Sequence, residues 1–117
     1  MTVTVNEACT ECGQKKPTPV RYPLGYSMVT GLTRLYRSGG GPVTRRDLGL
    51  TGVEYSVFHK MTYWHLIEKV SGERWVITDL GRAFIEGRTA VPVAVYAVNG
   101  VTVAADPENV TAFEVVR

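Results

Sequence analysis

Residues 51–87, TGVEYSVFHKMTYWHLIEKVSGERWVITDLGRAFIEG, decide the fold. The stretch begins with Thr51 and Glu54, which match a capping box: the threonine hydroxyl accepts from the third helical amide, and the glutamate accepts from the cap amide. Apolar residues then recur at helical spacing, which predicts a helix from Val53 to about Trp64. Its buried face is expected to carry Val57, Phe58, Met61 and Trp64, and its outward face Tyr55, Ser56, His59, Thr62 and Tyr63.

A short β-hairpin is predicted directly after this helix. His65 falls at the helix C′ position, where histidine tolerates a positive φ. Residues 66–70 and 74–77 are short extended segments, and Gly72 between them suits a tight turn. Thr78 is a cap for a further helix that ends near Gly87. A helix followed at once by a small hairpin is typical of a winged helix-turn-helix, an architecture used for nucleic acid more than for catalysis.

The preceding residues complete the helix-turn-helix pattern. A first helix is predicted from about Leu24 to Arg37, because its apolar residues recur at three- and four-residue spacing. The run of glycines and Pro42 that follows ends it. Thr44 and Asp47 predict a short second helix, with a glycine turn before Thr51.

The two ends of the chain have a different character. Residues 1–23 read as an N-terminal arm, since they contain several prolines and no sustained period. Residues 89–117 read as a β-hairpin extension, because Asn99-Gly100 between valine-rich runs is a strong type I′ turn signal. A last extended piece is predicted over 110–116. The expected fold class is therefore α+β, with a winged helix-turn-helix core of about four helices and a two-stranded wing over 24–88.

Composition favours a small globular protein with a basic centre. Residues 15–88 carry twelve Lys or Arg against six Asp or Glu, whereas 1–14 and 89–117 each have a net charge of −2. A basic central surface suits phosphate binding. The sequence has no nucleophile elbow, zinc-protease helix or Walker loop, so we expect no enzyme activity. It also has no secretory signal or 20-residue apolar run, so we expect a cytoplasmic protein that makes no membrane contact.

The candidate DNA-binding residues are basic, polar or aromatic side chains of the second helix, the outward face of the third helix and the wing. Arginines at the second helix would contact phosphates, the third helix would read base edges, and basic wing residues could enter the minor groove. The set is Arg45, Arg46, Tyr55, Ser56, His59, Lys60, Thr62, Tyr63, Lys69 and Arg74.

Cys9 and Cys12, followed by glycine, resemble one knuckle of a zinc site. Tetrahedral zinc needs four ligands, and the chain has no other cysteine. Three alternatives remain open: His59 and His65 complete the site, a second copy of the chain completes it in a homodimer, or the knuckle is degenerate and binds no zinc.

Several of these segments resemble small winged-helix proteins of phages and prokaryotes that are described as DNA-binding. The resemblance covers most of the chain and implies the winged-helix fold. At His65 the chain departs from the family pattern, where glycine is more usual. The segments that carry the resemblance are Cys9–Gly13 (CTECG), Lys60–Glu68 (KMTYWHLIE), Arg74–Gly87 (RWVITDLGRAFIEG), Val91-Pro92 and Val95–Gly100 (VYAVNG).

The function expected from the sequence is non-enzymatic binding of double-stranded DNA, as a small phage or prokaryotic transcriptional regulator that reads the major groove with residues 53–64. The alternative from a different class is a phage protein-interaction module that captures a host factor with its β-rich tail.

Overall fold

Helices and short strands alternate along the chain and give an α+β architecture. The computed structural model describes residues 18–116, and within that range it has four α-helices and three small antiparallel sheets. The strands are β1 (Val20–Pro23), β2 (Val43–Thr44), β3 (Ile67–Lys69), β4 (Arg74–Ile77), β5 (Val91–Pro92), β6 (Ala94–Val98), β7 (Val101–Ala105) and β8 (Asn109–Val110). The α-helices are α1 (Tyr26–Arg37), α2 (Gly52–Phe58), α3 (Asp79–Ile85) and α4 (Ala112–Val116), and 3₁₀ helices span Arg46–Leu48 and His59–Trp64.

The predicted hairpin is present and is the larger part of a three-stranded sheet. Its strand order is β2-β4-β3, so β4 is the central strand. Strand β3 pairs with one edge of β4, and β2, which precedes the first 3₁₀ helix, pairs with the other edge. Gly72 has a positive φ in the turn, as predicted, and His65 occupies the left-handed cap with a φ of 61°. The sheet therefore ties the segment before α2 to the hairpin that follows it.

Helix α2 begins as the sequence predicts but changes geometry halfway. The Thr51–Glu54 capping box is formed in both directions, and α-helical geometry ends at Phe58. The following 3₁₀ helix has three residues per turn, so Phe58, Met61 and Trp64 align on one face, and all three are buried. The single α-helix predicted over 53–64 is thus wrong in its second half, because burial at every third residue matches the 3₁₀ period.

A buried glutamate joins α2 to α1. The Glu54 carboxylate accepts from the Thr51 amide at 3.0 Å and from the Thr30 hydroxyl of α1 at 2.7 Å. The Arg34 guanidinium lies 3.3 Å away. These three donors lower the pKa of the Glu54 carboxyl, the Thr51 amide contributing most. The capping residue of α2 therefore also fixes its position against α1.

Strand β1, from the last residues of the predicted arm, forms one sheet with two strands of the tail. It pairs along its whole length with β6 of the tail, in the order β1-β6-β7. Asn99 and Gly100 both have positive φ, as a type I′ turn requires, so the predicted tail hairpin is present. The Trp64 indole also donates to the Pro92 carbonyl at 2.8 Å, which links the tail to the central helices.

The last predicted extended piece is wrong. Only Asn109–Val110 is strand, and Ala112–Val116 is helix α4. The Thr111 hydroxyl accepts from the Glu114 amide at 3.2 Å, and the Glu114 carboxylate accepts from the Thr111 amide at 2.7 Å. This Thr-x-x-Glu pair is a second capping box, and it outweighs the strand preference of the valines.

No helix within residues 18–116 is both long and apolar enough to cross a membrane.

Most of these elements contribute residues to one hydrophobic core. The core contains Leu24, Met28, Val29, Leu32, Leu35, Leu48, Phe58, Met61, Trp64, Leu66, Ile67, Trp75, Ile77, Phe84, Val91, Val95 and Ala112.

Candidate nucleic-acid interface

A groove of about 550 Å³ separates the 3₁₀ helix that continues α2 from the β3–β4 hairpin. We refer to it as the helix–hairpin groove. Four parts of the fold line it: the residue before the first 3₁₀ helix, the second 3₁₀ helix, the β3–β4 hairpin and the turn between β6 and β7. The lining contains polar, basic and aromatic side chains. The lining residues are Arg45, His59, Thr62, Tyr63, Lys69, Glu73, Trp75 and Gly100.

An ion-paired cluster crosses one end of this groove. The Glu73 carboxylate, from the hairpin turn, lies 2.9 Å from Arg45 Nη2 and 3.2 Å from Lys69 Nζ. Hydrogen bonds from Lys69 and then Arg45 lower the pKa of the Glu73 carboxyl, so it is ionised at neutral pH. We call these three residues the Glu73 bridge. It connects the hairpin turn to Arg45, which directly precedes the first 3₁₀ helix.

Arg45 is more enclosed than a simple phosphate-contacting residue would be. Its guanidinium lies 4.1 Å from the centroid of the Tyr55 ring and 5.9 Å from that of Trp75, and Nη1 donates to the Tyr55 carbonyl. The side chain is only 18% exposed. The sequence predicted Arg45 as a phosphate contact, and the structure shows its guanidinium in the Glu73 bridge.

Two donors near this cluster have no hydrogen-bond partner within the described part of the chain. They are Arg45 Nε and the indole Nε1 of Trp75, and both atoms are buried. Lys69 Nζ also lies 5.7 Å from the Trp75 ring centroid. Trp75 belongs to the hydrophobic core, and its ring also lies beside both cations of the groove, a contact that the sequence did not reveal.

The 3₁₀ geometry divides the predicted outward face in two. At three residues per turn, His59 and Thr62 align on one ridge, whereas Lys60 and Tyr63 align on another. The second ridge meets β1: the Tyr63 ring lies 4.8 Å from the Tyr22 ring, and Lys60 Nζ lies 5.6 Å from the centroid of the Tyr22 ring. Tyr63, predicted on the outward face, is half-buried beside Tyr22 and also lines the groove.

His59 is neutral at pH 7. Burial lowers the pKa of its imidazole, and the nearby positive charges of Arg45 and Lys60 lower it further. A neutral imidazole has one donor and one acceptor nitrogen, so His59 brings no charge to the groove but can hydrogen-bond to a base edge or an adjacent side chain.

Four other predicted residues are not among those that line the groove. Tyr55 is half-buried under Arg45, whereas Ser56 is exposed and its hydroxyl donates to the Gly52 carbonyl at 2.9 Å. Arg46, the predicted phosphate contact, and Arg74, the predicted minor-groove contact, are exposed, and neither side chain forms an ion pair within residues 18–116.

The predicted zinc ligands Cys9 and Cys12 lie outside the described residues, so the zinc prediction stays a prediction. Between residues 18 and 116, no three or more His, Cys, Asp or Glu side chains come together as a metal site. His59 and His65 therefore have no third ligand beside them in that part of the chain.

Comparison with known protein families, with curated proteins and with solved structures finds no match to this chain.

Proposed function

We propose that residues 24–88 are a winged helix-turn-helix domain that binds double-stranded DNA. The order of elements supports this reading: α1, β2, a 3₁₀ turn, α2 with its 3₁₀ continuation, and the β3–β4 hairpin follow one another as in such a domain. Strand β3 of the hairpin also contacts the 3₁₀ helix of residues 52–64, the segment that would be the recognition segment. In this reading the β3–β4 hairpin is the wing.

The single observation that carries the proposal is the basic helix–hairpin groove. Two permanent cations, Arg45 and Lys69, lie in it with Glu73 as the one carboxylate among its lining residues. Two exposed arginines, Arg46 and Arg74, are the chain neighbours of the lining residues Arg45 and Trp75. A concave basic surface between a helix and a hairpin is suited to a phosphate backbone, which supplies most of the affinity of DNA-binding proteins.

Base recognition in this proposal falls to the exposed part of the recognition segment. Ser56, His59 and Thr62 carry short or neutral polar groups that can reach base edges, while Lys60 stays beside the Tyr22 ring near the phosphates. The resemblance to phage and prokaryotic winged-helix proteins extends the proposal to a small cytoplasmic transcriptional regulator without enzyme activity.

The test is binding of labelled duplex fragments, measured by fluorescence anisotropy over a range of salt concentrations. We expect log K to fall linearly with log salt, with a slope of about −0.9 for each phosphate neutralised. Arg46→Ala should weaken binding to all duplexes and reduce that slope by about 1. Arg37→Ala is the matched control, because Arg37 is also exposed but lies beside α3 and α4 residues. Absence of binding by the wild-type protein at low salt would refute the proposal.

A second candidate function is capture of a protein partner by the tail. The observation that favours it is exposed apolar surface: Val101 and Val103 of the edge strand β7 are 63% and 56% exposed, and Phe113 of α4 is 65% exposed. Association through this surface would be insensitive to salt and abolished by Val101→Lys. DNA binding through the groove would instead tolerate that substitution.

A further inference from the structure

Two cations of the helix–hairpin groove converge on one carboxylate of the protein itself. Arg45 and Lys69 come from different elements, and the aromatic ring of Trp75 lies beside both of them. Each of the two directs its charged group to the same carboxylate, that of Glu73. Two fixed cations that converge on one carboxylate are an arrangement that also binds a phosphate group.

The residues around this carboxylate contain two further hydrogen-bond donors. Arg45 Nε and Trp75 Nε1 are both buried and have no partner within residues 18–116, and Trp75 as a whole is 4% exposed. In the Glu73 bridge each carboxylate oxygen takes one cation. A phosphate group has more acceptor oxygens and more negative charge than a carboxylate, so it can pair with the same two cations.

The Glu73 carboxylate is also placed so that it can move away from Arg45 and Lys69. It follows Gly72 in the hairpin turn, and its side chain is 58% exposed. Because the carboxylate is largely hydrated already, moving it into solvent costs little, and ion pairs at such exposed positions are weak. Beside the carboxylate, the Arg45 guanidinium lies 4.1 Å from the centroid of the Tyr55 ring, and Lys69 Nζ lies 5.7 Å from that of Trp75.

We propose that the carboxylate of Glu73 occupies, in the free protein, the site that a phosphate group takes in the bound protein. This inference rests on the proposed function where the phosphate belongs to the DNA backbone. It makes Glu73 a displaceable competitor that lowers affinity, and it assigns Arg45 and Lys69 to one phosphate between the helix and the hairpin.

The first experiment uses inorganic phosphate as the probe and the two indole N–H resonances of the ¹⁵N-labelled protein as reporters. The Trp75 resonance should shift on titration at constant ionic strength against chloride. The Trp64 resonance is the internal control, because that indole is buried and donates to the Pro92 carbonyl. Equal shifts of both resonances, or no shift of Trp75, would overturn the assignment of the site.

The second experiment compares Glu73→Gln with Glu68→Gln. Both variants remove one negative charge from the same hairpin, but Glu68 is exposed and forms no ion pair within the described residues. Glu73→Gln should tighten duplex binding roughly three- to tenfold relative to Glu68→Gln, and it should lower the phosphate concentration at which Trp75 responds. Glu73→Ser with Glu68→Ser provides the same comparison without an amide in the site.

The outcomes separate the two proposals. Equal effects of the two substitutions on a protein that binds DNA would refute the displacement by Glu73 and leave the proposed function intact. If the wild-type protein does not bind DNA but Trp75 responds to phosphate more strongly in Glu73→Gln, the proposed function fails and the anion site remains, with a free phosphate group as its ligand.

Discussion

Substitution of Glu54 should destabilise the fold in a way that depends on pH. In Glu54→Gln the side-chain oxygen can still accept from the Thr51 amide. The new amide can donate to the Thr30 hydroxyl, which is free to accept while it donates to the Ser27 carbonyl. The geometry is thus retained and only the charge is lost.

The size of the effect follows from these contacts. Hydrogen bonds to a charged group contribute about 1 kcal/mol more than neutral ones, and Glu54 accepts two of them beside the Arg34 guanidinium. Glu54→Gln should therefore lower the free energy of unfolding by about 1–2 kcal/mol at neutral pH. Glu54→Ala also removes the side-chain acceptor of the Thr51 amide and leaves the Thr30 hydroxyl without that acceptor, so it should cost about 3 kcal/mol.

The pH dependence has a definite sign. The pKa of Glu54 is lower in the folded protein than its ordinary value of 4.5. Its contribution is therefore fully present above that value and is lost as the pH falls through the folded pKa. The difference between the wild-type protein and Glu54→Gln should be largest at neutral pH and should shrink as the pH falls through the folded pKa of Glu54.

The assay is urea denaturation followed by circular dichroism at several pH values, with Glu68→Gln as the control for loss of an exposed, unpaired carboxylate. A difference between wild type and Glu54→Gln that stays constant with pH would refute the role of the ionised carboxylate. So would an effect of Glu54→Ala no larger than that of Glu68→Ala.

The other predictions concern the recognition segment, α3 and the N-terminal cysteines. Trp64→Ala should lower the free energy of unfolding by about 3–5 kcal/mol, because the ring is buried and hydrogen-bonded. His59→Ala should change the free energy of unfolding by less than about 0.5 kcal/mol and should relax base preference. Thermal melts and binding to a panel of duplexes check this pair, and an unfolded His59→Ala beside an unaffected Trp64→Ala would reverse the assignment. Gly81→Ala should destabilise the protein by about 1–3 kcal/mol in the same melts, since the added Cβ would overlap the backbone carbonyl of Leu66. Metal analysis of protein purified under reducing, chelator-free conditions should find zinc at one per chain or one per two chains, and its absence would leave only the degenerate knuckle.

The sequence alone determined the parts of the fold that depend on neighbouring residues. The Thr51–Glu54 capping box, the Thr78 cap, the left-handed His65 and the Asn99-Gly100 turn all appear where their residue types predicted them. In each case the hydrogen bonds or backbone angles involve residues within about four positions, so the local sequence contains the whole interaction. The second capping box, formed by Thr111 and Glu114, has the same Thr-x-x-Glu pattern. It was not predicted, because the valines that follow it favour a strand.

Other features were decided only by the tertiary structure. The pairing of β1 with β6 joins residues more than seventy positions apart, and the change to 3₁₀ geometry after Phe58 follows from what that segment packs against. The enclosure of Arg45 between two aromatic rings, and its pairing with Glu73, likewise bring together distant residues. The sequence could name Arg45 as basic and well placed, but whether a cation is free or already paired depends on which side chains the fold brings within a few ångströms of it. That proximity is a property of the packed chain, because the energy of an ion pair depends on distance and burial and not on separation along the sequence.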